Sequence, residues 1–154
     1  MTKDVLVQVK GIQSRYDMPE EEAEVLENIT RCVYYQKNGK QYLFYEEYLE
    51  GEEQPVKNSV RVEPEMLTIT KKGAVESAMV FVPGEKTNSM YQSPVGTLEL
   101  SCHTGLLTVE EQEDVIEIIL EYTLEMNQSY VSDNRVEIVV RSAGEEAAAK
   151  AEVE

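Results

Sequence analysis

The sequence is poor in the residues that build metal and nucleophilic centres. It has one histidine, His103, and two cysteines, Cys32 and Cys102, far apart in the chain. A single histidine excludes a histidine-rich metal site, and no carboxylate spacing resembles a calcium loop. Any Ser-His-Asp arrangement has to be built on His103. The two cysteines belong to no CxxC or Cys/His cluster and are too few for a disulfide scaffold, so they read as reduced, buried, small apolar side chains. No glycine-rich loop lies between a strand and a helix, where it would cradle a phosphate. Basic residues are scarce too, 14 against 30 acidic ones, for a net charge of −16. That balance disfavours DNA, RNA and anionic membrane, because phosphate binding needs a basic footprint. No run approaches the roughly 18 apolar residues of a membrane-spanning helix. The start, Met1-Thr2-Lys3-Asp4-Val5, lacks the apolar core of a signal peptide. The expectation is a cytoplasmic protein with no catalytic centre, metal, cofactor, nucleic-acid partner or membrane partner.

What is present points to one folded domain. The chain has 154 residues, 42% of them hydrophobic, with nine tyrosines. Such a composition is not that of a disordered protein, and this length buries roughly 70% of the surface of its unfolded form without staples. Alternation of period two dominates. Val5, Val7 and Val9 share one face of a first strand. Ile116, Ile118, Leu120, Tyr122, Leu124 and Met126 share a face, while Glu117, Ile119, Glu121, Thr123 and Glu125 share the other. A helix would scatter those glutamates around its circumference; a half-buried strand sorts them. Further strands read at 25–37, 40–50, 59–62, 66–72, 74–82, 96–103 and 135–141. Only two segments could be helical: residues 19–28, opening with Pro19 and acids, which suit a charged loop equally, and the tail 143–154, which reads as frayed. The domain spans 1–142, and 143–154 is an acidic, flexible tail.

Two turns allow registers to be written. Asn38-Gly39 is the strongest two-residue hairpin signal, since both positions favour positive φ. With that loop, Tyr35 faces Tyr42, Val33 faces Phe44 and Arg31 faces Glu46 on one side. Tyr34 meets Leu43, Cys32 meets Tyr45 and Thr30 meets Glu47 on the other, which places Leu43, Tyr45 and Glu47 inside. A second turn, Asn127-Gln128, pairs Leu124 with Val131 and Tyr122 with Asp133. The final strand needs Val136, Ile138 and Val140 inward, the opposite parity, so a bulge is expected near Asp133-Asn134.

Strands in strict succession, joined by short turns without crossover helices, make a meander. A sheet that long with one apolar face either closes or splits into a sandwich, so that its edges are not left open, and regular neighbour-to-neighbour turns favour closure. The expected fold is all-β: one antiparallel up-and-down barrel of about 8–10 strands, with at most one short helix. Barrels of about eight strands are wide enough to be filled by side chains or to hold one small ligand.

The order and spacing of several motifs carry a resemblance. They are Tyr42-Leu-Phe-Tyr-Glu-Glu47, Asn58-Ser-Val-Arg-Val62, Leu67-Thr-Ile-Thr-Lys-Lys-Gly73 and Met79-Val-Phe81. Met90-Tyr-Gln-Ser-Pro-Val-Gly96, Thr104, Leu120-Glu-Tyr-Thr-Leu124 and Tyr130-Val-Ser-Asp-Asn134 follow. Over roughly residues 3–142 the chain resembles the YwiB-like family of small bacterial proteins of unknown function. The resemblance implies a lipocalin-like, calycin-type barrel in the cytoplasm, and supplies no activity.

Parity singles out one constellation. Glu47 is inward by the hairpin register, Lys71 shares a face with Leu67 and Ile69 if that strand stays regular, and Arg61 alternates with Val60 and Val62, which leaves its direction open. With Tyr45 and Tyr91 as walls, these charges form a cluster that orients a small polar or anionic-headed ligand in the barrel lumen or mouth. The competing reading is a satisfied ion pair closing a filled barrel. His103 points outward, opposite to Leu98, Leu100 and Cys102, so a Cys-His dyad is geometrically poor. The function expected is a non-enzymatic small-molecule-binding module using Tyr45, Glu47, Arg61, Lys71 and Tyr91. The alternative is an interaction protein with a filled barrel. It would meet a basic protein or a second copy through its acidic exterior or the hairpin bearing Tyr34, Tyr35, Tyr42, Tyr45 and Tyr48.

Overall fold

The chain is described from a computed structural model over residues 4–48, 51 and 53–143. Ten strands follow in order: β1 (Asp4–Ser14), β2 (Glu24–Lys37), β3 (Lys40–Glu47), β4 (Val56–Glu63) and β5 (Met66–Lys72). They continue as β6 (Ser77–Phe81), β7 (Lys86–Ser93), β8 (Gly96–Gln112), β9 (Val115–Met126) and β10 (Ser129–Ser142). All pair antiparallel in one sheet of spatial order β6-β5-β4-β3-β2-β1-β10-β9-β8-β7. The first and last strands pair from Val5↔Ser142 to Ser14↔Asp133, which moves the seam of the barrel to β6 and β7. There the sheet is nearly closed by a single bridge, Glu76↔Gln92, and by the Thr87 hydroxyl donating to the Val80 carbonyl. Among the described residues the one helical element is a 3₁₀ turn at Glu20–Glu22. The acidic run around it lacks an apolar face, so no longer helix has anything to pack against. Apart from Ala143, the acidic tail lies outside the described residues.

The expected alternation is seen in the burial. Val5, Val7, Leu43, Val60, Val62, Leu67, Phe81, Ile116, Ile118, Leu120, Ile138 and Val140 fill the barrel. Phe81 packs against Tyr122 with ring centroids 4.7 Å apart. Near one end, Tyr34 donates to Gln41 Oε1 at 2.9 Å, and Gln41 Nε2 donates to Glu111. The axis is therefore packed with side chains.

The Asn38-Gly39 turn has φ of 53° and 77°, and the pairs Lys37↔Lys40 to Val33↔Phe44 follow it as expected. Beyond Val33↔Phe44 the expected pairs of Arg31, Cys32 and Thr30 with β3 do not form. β2 stays on β1 down to Gln13↔Glu24 while β3 stays on β4 to Glu47↔Val56. Two strands held by different neighbours diverge under the twist of the sheet.

The last hairpin turns at Asn127-Gln128, with φ of 47° and 70°. Its bulge lies between Tyr130 and Ser132, nearer the turn than Asp133-Asn134. The ladder is back in phase before Asp133, which points outward and accepts hydrogen bonds from Thr123 and Tyr130, both at 2.9 Å. A second bulge, between Thr104 and Leu106, carries β8 on to Gln112, well past the expected end at 103. β7 was not foreseen. Its half-buried positions are Thr87, Ser89, Tyr91 and Ser93, so it shows no apolar alternation.

Candidate functional site

Register brings the sequence-predicted residues into one transverse row. Tyr45 pairs with Asn58, Asn58 with Lys71, and Lys71 with Ser77. The Glu76↔Gln92 bridge sets the half-buried Tyr91 beside Ser77 across the seam. Glu47 lies two residues beyond Tyr45 on the same face, and Lys71 Nζ meets its Oε1 at 3.0 Å. Those two side chains are 33% and 31% exposed, so this ion pair caps a barrel end within reach of water. Arg61 does not join them. It lies opposite in parity to the buried Val60 and Val62 and contacts Glu63 at 3.4 Å.

Asn58 stands at the centre of the row and was missed as a site residue. It is only 2% exposed. Its Nδ2 donates weakly to Glu47 Oε1 at 3.4 Å and to the Val56 carbonyl at 3.3 Å. Its Oδ1 has no hydrogen-bond partner. A buried acceptor left unpaired costs about 1–3 kcal/mol, and Thr68 Oγ1 and Thr104 Oγ1 share that state elsewhere in the barrel. The available signal was an amide at an inward position between Val56 and Val60.

Where β2 and β3 diverge, a cleft of about 900 Å³ opens through the wall. Val5, Cys32, Tyr45 and Asn58 are lined up along it with Phe44, and Arg31, Glu46 and Lys57 contribute charges. Burial, with a smaller contribution from the Glu47 charge, pushes the Tyr45 hydroxyl up to about 12. At neutral pH it is a protonated donor. Burial also raises the Cys32 thiol to about 11, which leaves it un-ionised and a poor nucleophile. The cleft is thus lined by the Tyr45 phenol and the Phe44 edge, and Asn58, whose Oδ1 is buried beside it, adjoins the ammonium-carboxylate pair.

A second, open groove of about 790 Å³ lies on the outside between β8, β9 and β10 and includes His103, Lys86, Asp133 and Arg135. His103 is on the outer face as its parity requires, and its ring contacts Glu125. The hydrogen bond from His103, reinforced by Lys86, holds the Glu125 carboxyl below its ordinary range. No helix of the described residues is long and apolar enough to cross a membrane.

A family model described as a domain of unknown function, DUF1934, matches residues 7–138. The chain belongs to the DUF1934 family. A curated relative, the "Uncharacterized beta-barrel protein YwiB" of Bacillus subtilis (strain 168), is 33% identical over 102 residues. That match spans 66% of this chain and 70% of the relative. The crystal structure of the ywiB protein from Bacillus subtilis superposes with a TM-score of 0.77 at 25% identity, covering 92% of this chain and 93% of that one. Family and barrel agree with the expectation from sequence. DUF1934 membership itself assigns no activity, and any function has to be argued from the site.

Proposed function

We propose that this DUF1934 protein is a small-molecule-binding protein whose site is the cleft between β2 and β3. The unpaired Asn58 Oδ1, buried beside that cleft, carries the reading. A ligand with an N–H or O–H donor that reaches it satisfies it, Tyr45 donates in return, and the Tyr45 ring flanks the ligand's apolar part. The Glu47–Lys71 pair holds Asn58 from behind. Arg61 takes no part, and Tyr91 supports the row from across the seam.

The test is the mass of the protein purified gently from its native host, under native and then denaturing conditions. The reading expects extra mass that disappears on unfolding and is absent from the Asn58→Val variant. Equal native and denatured masses, with no thermal stabilisation by a panel of polar metabolites, would overturn it.

A specific observation also favours contact with proteins. Tyr35, Tyr42 and Phe44 stack on the outer face, with centroids 5.0 Å and 5.5 Å from Tyr35, and Tyr35 and Phe44 are exposed. Aromatic strips of this kind are enriched at interfaces.

A further inference from the structure

Charge is not spread evenly over the barrel. β9 turns Glu117, Glu121 and Glu125 outward with no cation among them. The wall made by the β2–β3 hairpin, β4 and β5 has the opposite sign. Its outward positions, opposite in parity to the buried Tyr34, Leu43, Val60 and Leu67, include Lys37, Lys40, Lys57, Arg61 and Lys72. Only Glu46 and Glu63 share that face of β3, β4 and β5. A chain with 30 acidic and 14 basic residues thus gathers cations on one side.

Two of the cross-strand pairs are like-charged. Lys37 lies directly opposite Lys40, and Lys57 directly opposite Lys72, an arrangement that destabilises a sheet when nothing lies between the charges. Lysine often blunts a sheet edge, but β3, β4 and β5 are interior strands. Nearby acids do not neutralise the wall either. Glu63 is shared by Lys40 at 3.3 Å and Arg61 at 3.4 Å. Glu46, across from Lys57, accepts instead from the Tyr48 hydroxyl at 3.0 Å. Lys37, Lys57 and Lys72 are exposed and make no ion pair among the described residues.

The stack of Tyr35, Tyr42 and Phe44 lies between the two lysine pairs. One pair is level with Lys40 and the other with Glu46, about 20 Å further along β3. An extended peptide of about six or seven residues spans that interval, with carboxylates over the lysines and apolar side chains over the rings. A nucleic-acid strand fits worse. It carries a phosphate at every nucleotide, across the aromatic interval and on into the acidic remainder of the surface, whereas a peptide confines its charge to the two ends.

We propose that this wall docks an acidic polypeptide segment of another protein. The segment lies extended, with carboxylates at Lys37–Lys40 and Lys57–Lys72 and an apolar or aromatic stretch on the Tyr35–Tyr42–Phe44 stack. The charges steer it and fix its register, and the rings supply the contact area. The inference names the partner for the protein-contact reading of that stack and rests on it; it does not depend on the cleft.

Fluorescence anisotropy of the full chain with a labelled peptide, paired glutamates on either side of a valine–tyrosine–valine core, tests it. Binding is expected at low salt and weakens about tenfold or more as salt rises from about 0.05 to 0.5 M. Lys37→Glu combined with Lys72→Glu weakens it about ten- to a hundredfold. Lys10→Glu combined with Arg141→Glu makes the same charge change on β1 and β10 and leaves affinity within about twofold. Far-UV circular dichroism checks that both variants keep the barrel. No binding at hundreds of micromolar, or equal losses in the two double variants, overturns the proposal. So does tighter binding of an oligothymidylate to the same wall, which would assign it to nucleic acid. Salt-sensitive self-association abolished by Lys37→Glu with Lys72→Glu also overturns it, in favour of a second copy. A peptide with glutamines in place of the glutamates separates the two ideas. If it binds as well as the acidic one, the charge proposal fails while the protein-contact reading of the stack stands; if neither binds, both fail.

Discussion

The Asn58→Val substitution tests the site through stability and binding together. In the apo protein, Asn58 Oδ1 is buried without a partner, a state worth about 1–3 kcal/mol of destabilisation. The change also removes the two Nδ2 bonds, but these are long, at 3.3 Å and 3.4 Å, and together contribute roughly 1 kcal/mol. Glu47 keeps Lys71 at 3.0 Å, so its carboxylate is not stranded. A valine between Val56 and Val60 suits a strand and adds up to about 1 kcal/mol. The net expectation is a variant about 1–2 kcal/mol more stable than the parent that no longer carries ligand. With a urea m-value of about 2 kcal/mol/M, the midpoint rises by about 0.5–1 M. This is the trade expected where a residue serves binding at the expense of folding. Loss of more than about 1 kcal/mol in ligand-free protein would refute the reasoning, because it would mean Oδ1 is satisfied in the resting state.

Three further outcomes follow from the geometry. Glu47→Gln should cost only about 0.5–1 kcal/mol by urea denaturation, since the pair with Lys71 is about one-third exposed and screened by water; a loss of several kcal/mol would mark it as buried. Gly73→Ala should cost about 1–3 kcal/mol, because Gly73 has φ of 141° and an added Cβ would lie 3.0 Å from the Pro55 carbonyl oxygen; an unchanged thermal midpoint would contradict that approach. Burial raises Cys32 and Cys102 from 9.0 to about 11 and Tyr45 from 10.0 to about 12. Above pH 9 the unfolded chain loses these protons first, so stability is complete below pH 9 and falls as pH rises toward 11 and 12. A urea midpoint flat across that window would disprove the burial.

The sequence carried the parts that depend on neighbours along the chain. Alternation in β9 and β1 named the buried faces, because side chains in a strand alternate whatever the rest of the fold does. Asn38-Gly39 set the β2–β3 register near the turn, because its backbone preference is local. Parity placed Tyr45, Glu47 and Lys71 on one inner face and His103 on the outer one. Where parity rested on two valines alone, at Arg61, the direction stayed open, and packing of Val60 and Val62 settled it. The strand β7 was invisible, since the seam it borders is lined by Thr87, Ser89 and Ser93, whose hydroxyls show no hydrophobic period.

Composition, alternation and turn chemistry thus determined an all-β meander, its inner faces and the candidate charged pair. Only the tertiary structure decided that β2 follows β1 while β3 follows β4. That choice depends on which pairings survive twist and closure over the whole sheet, not on any local preference. From it comes the cleft between β2 and β3, which does not exist until strands distant in sequence compete for the same neighbour.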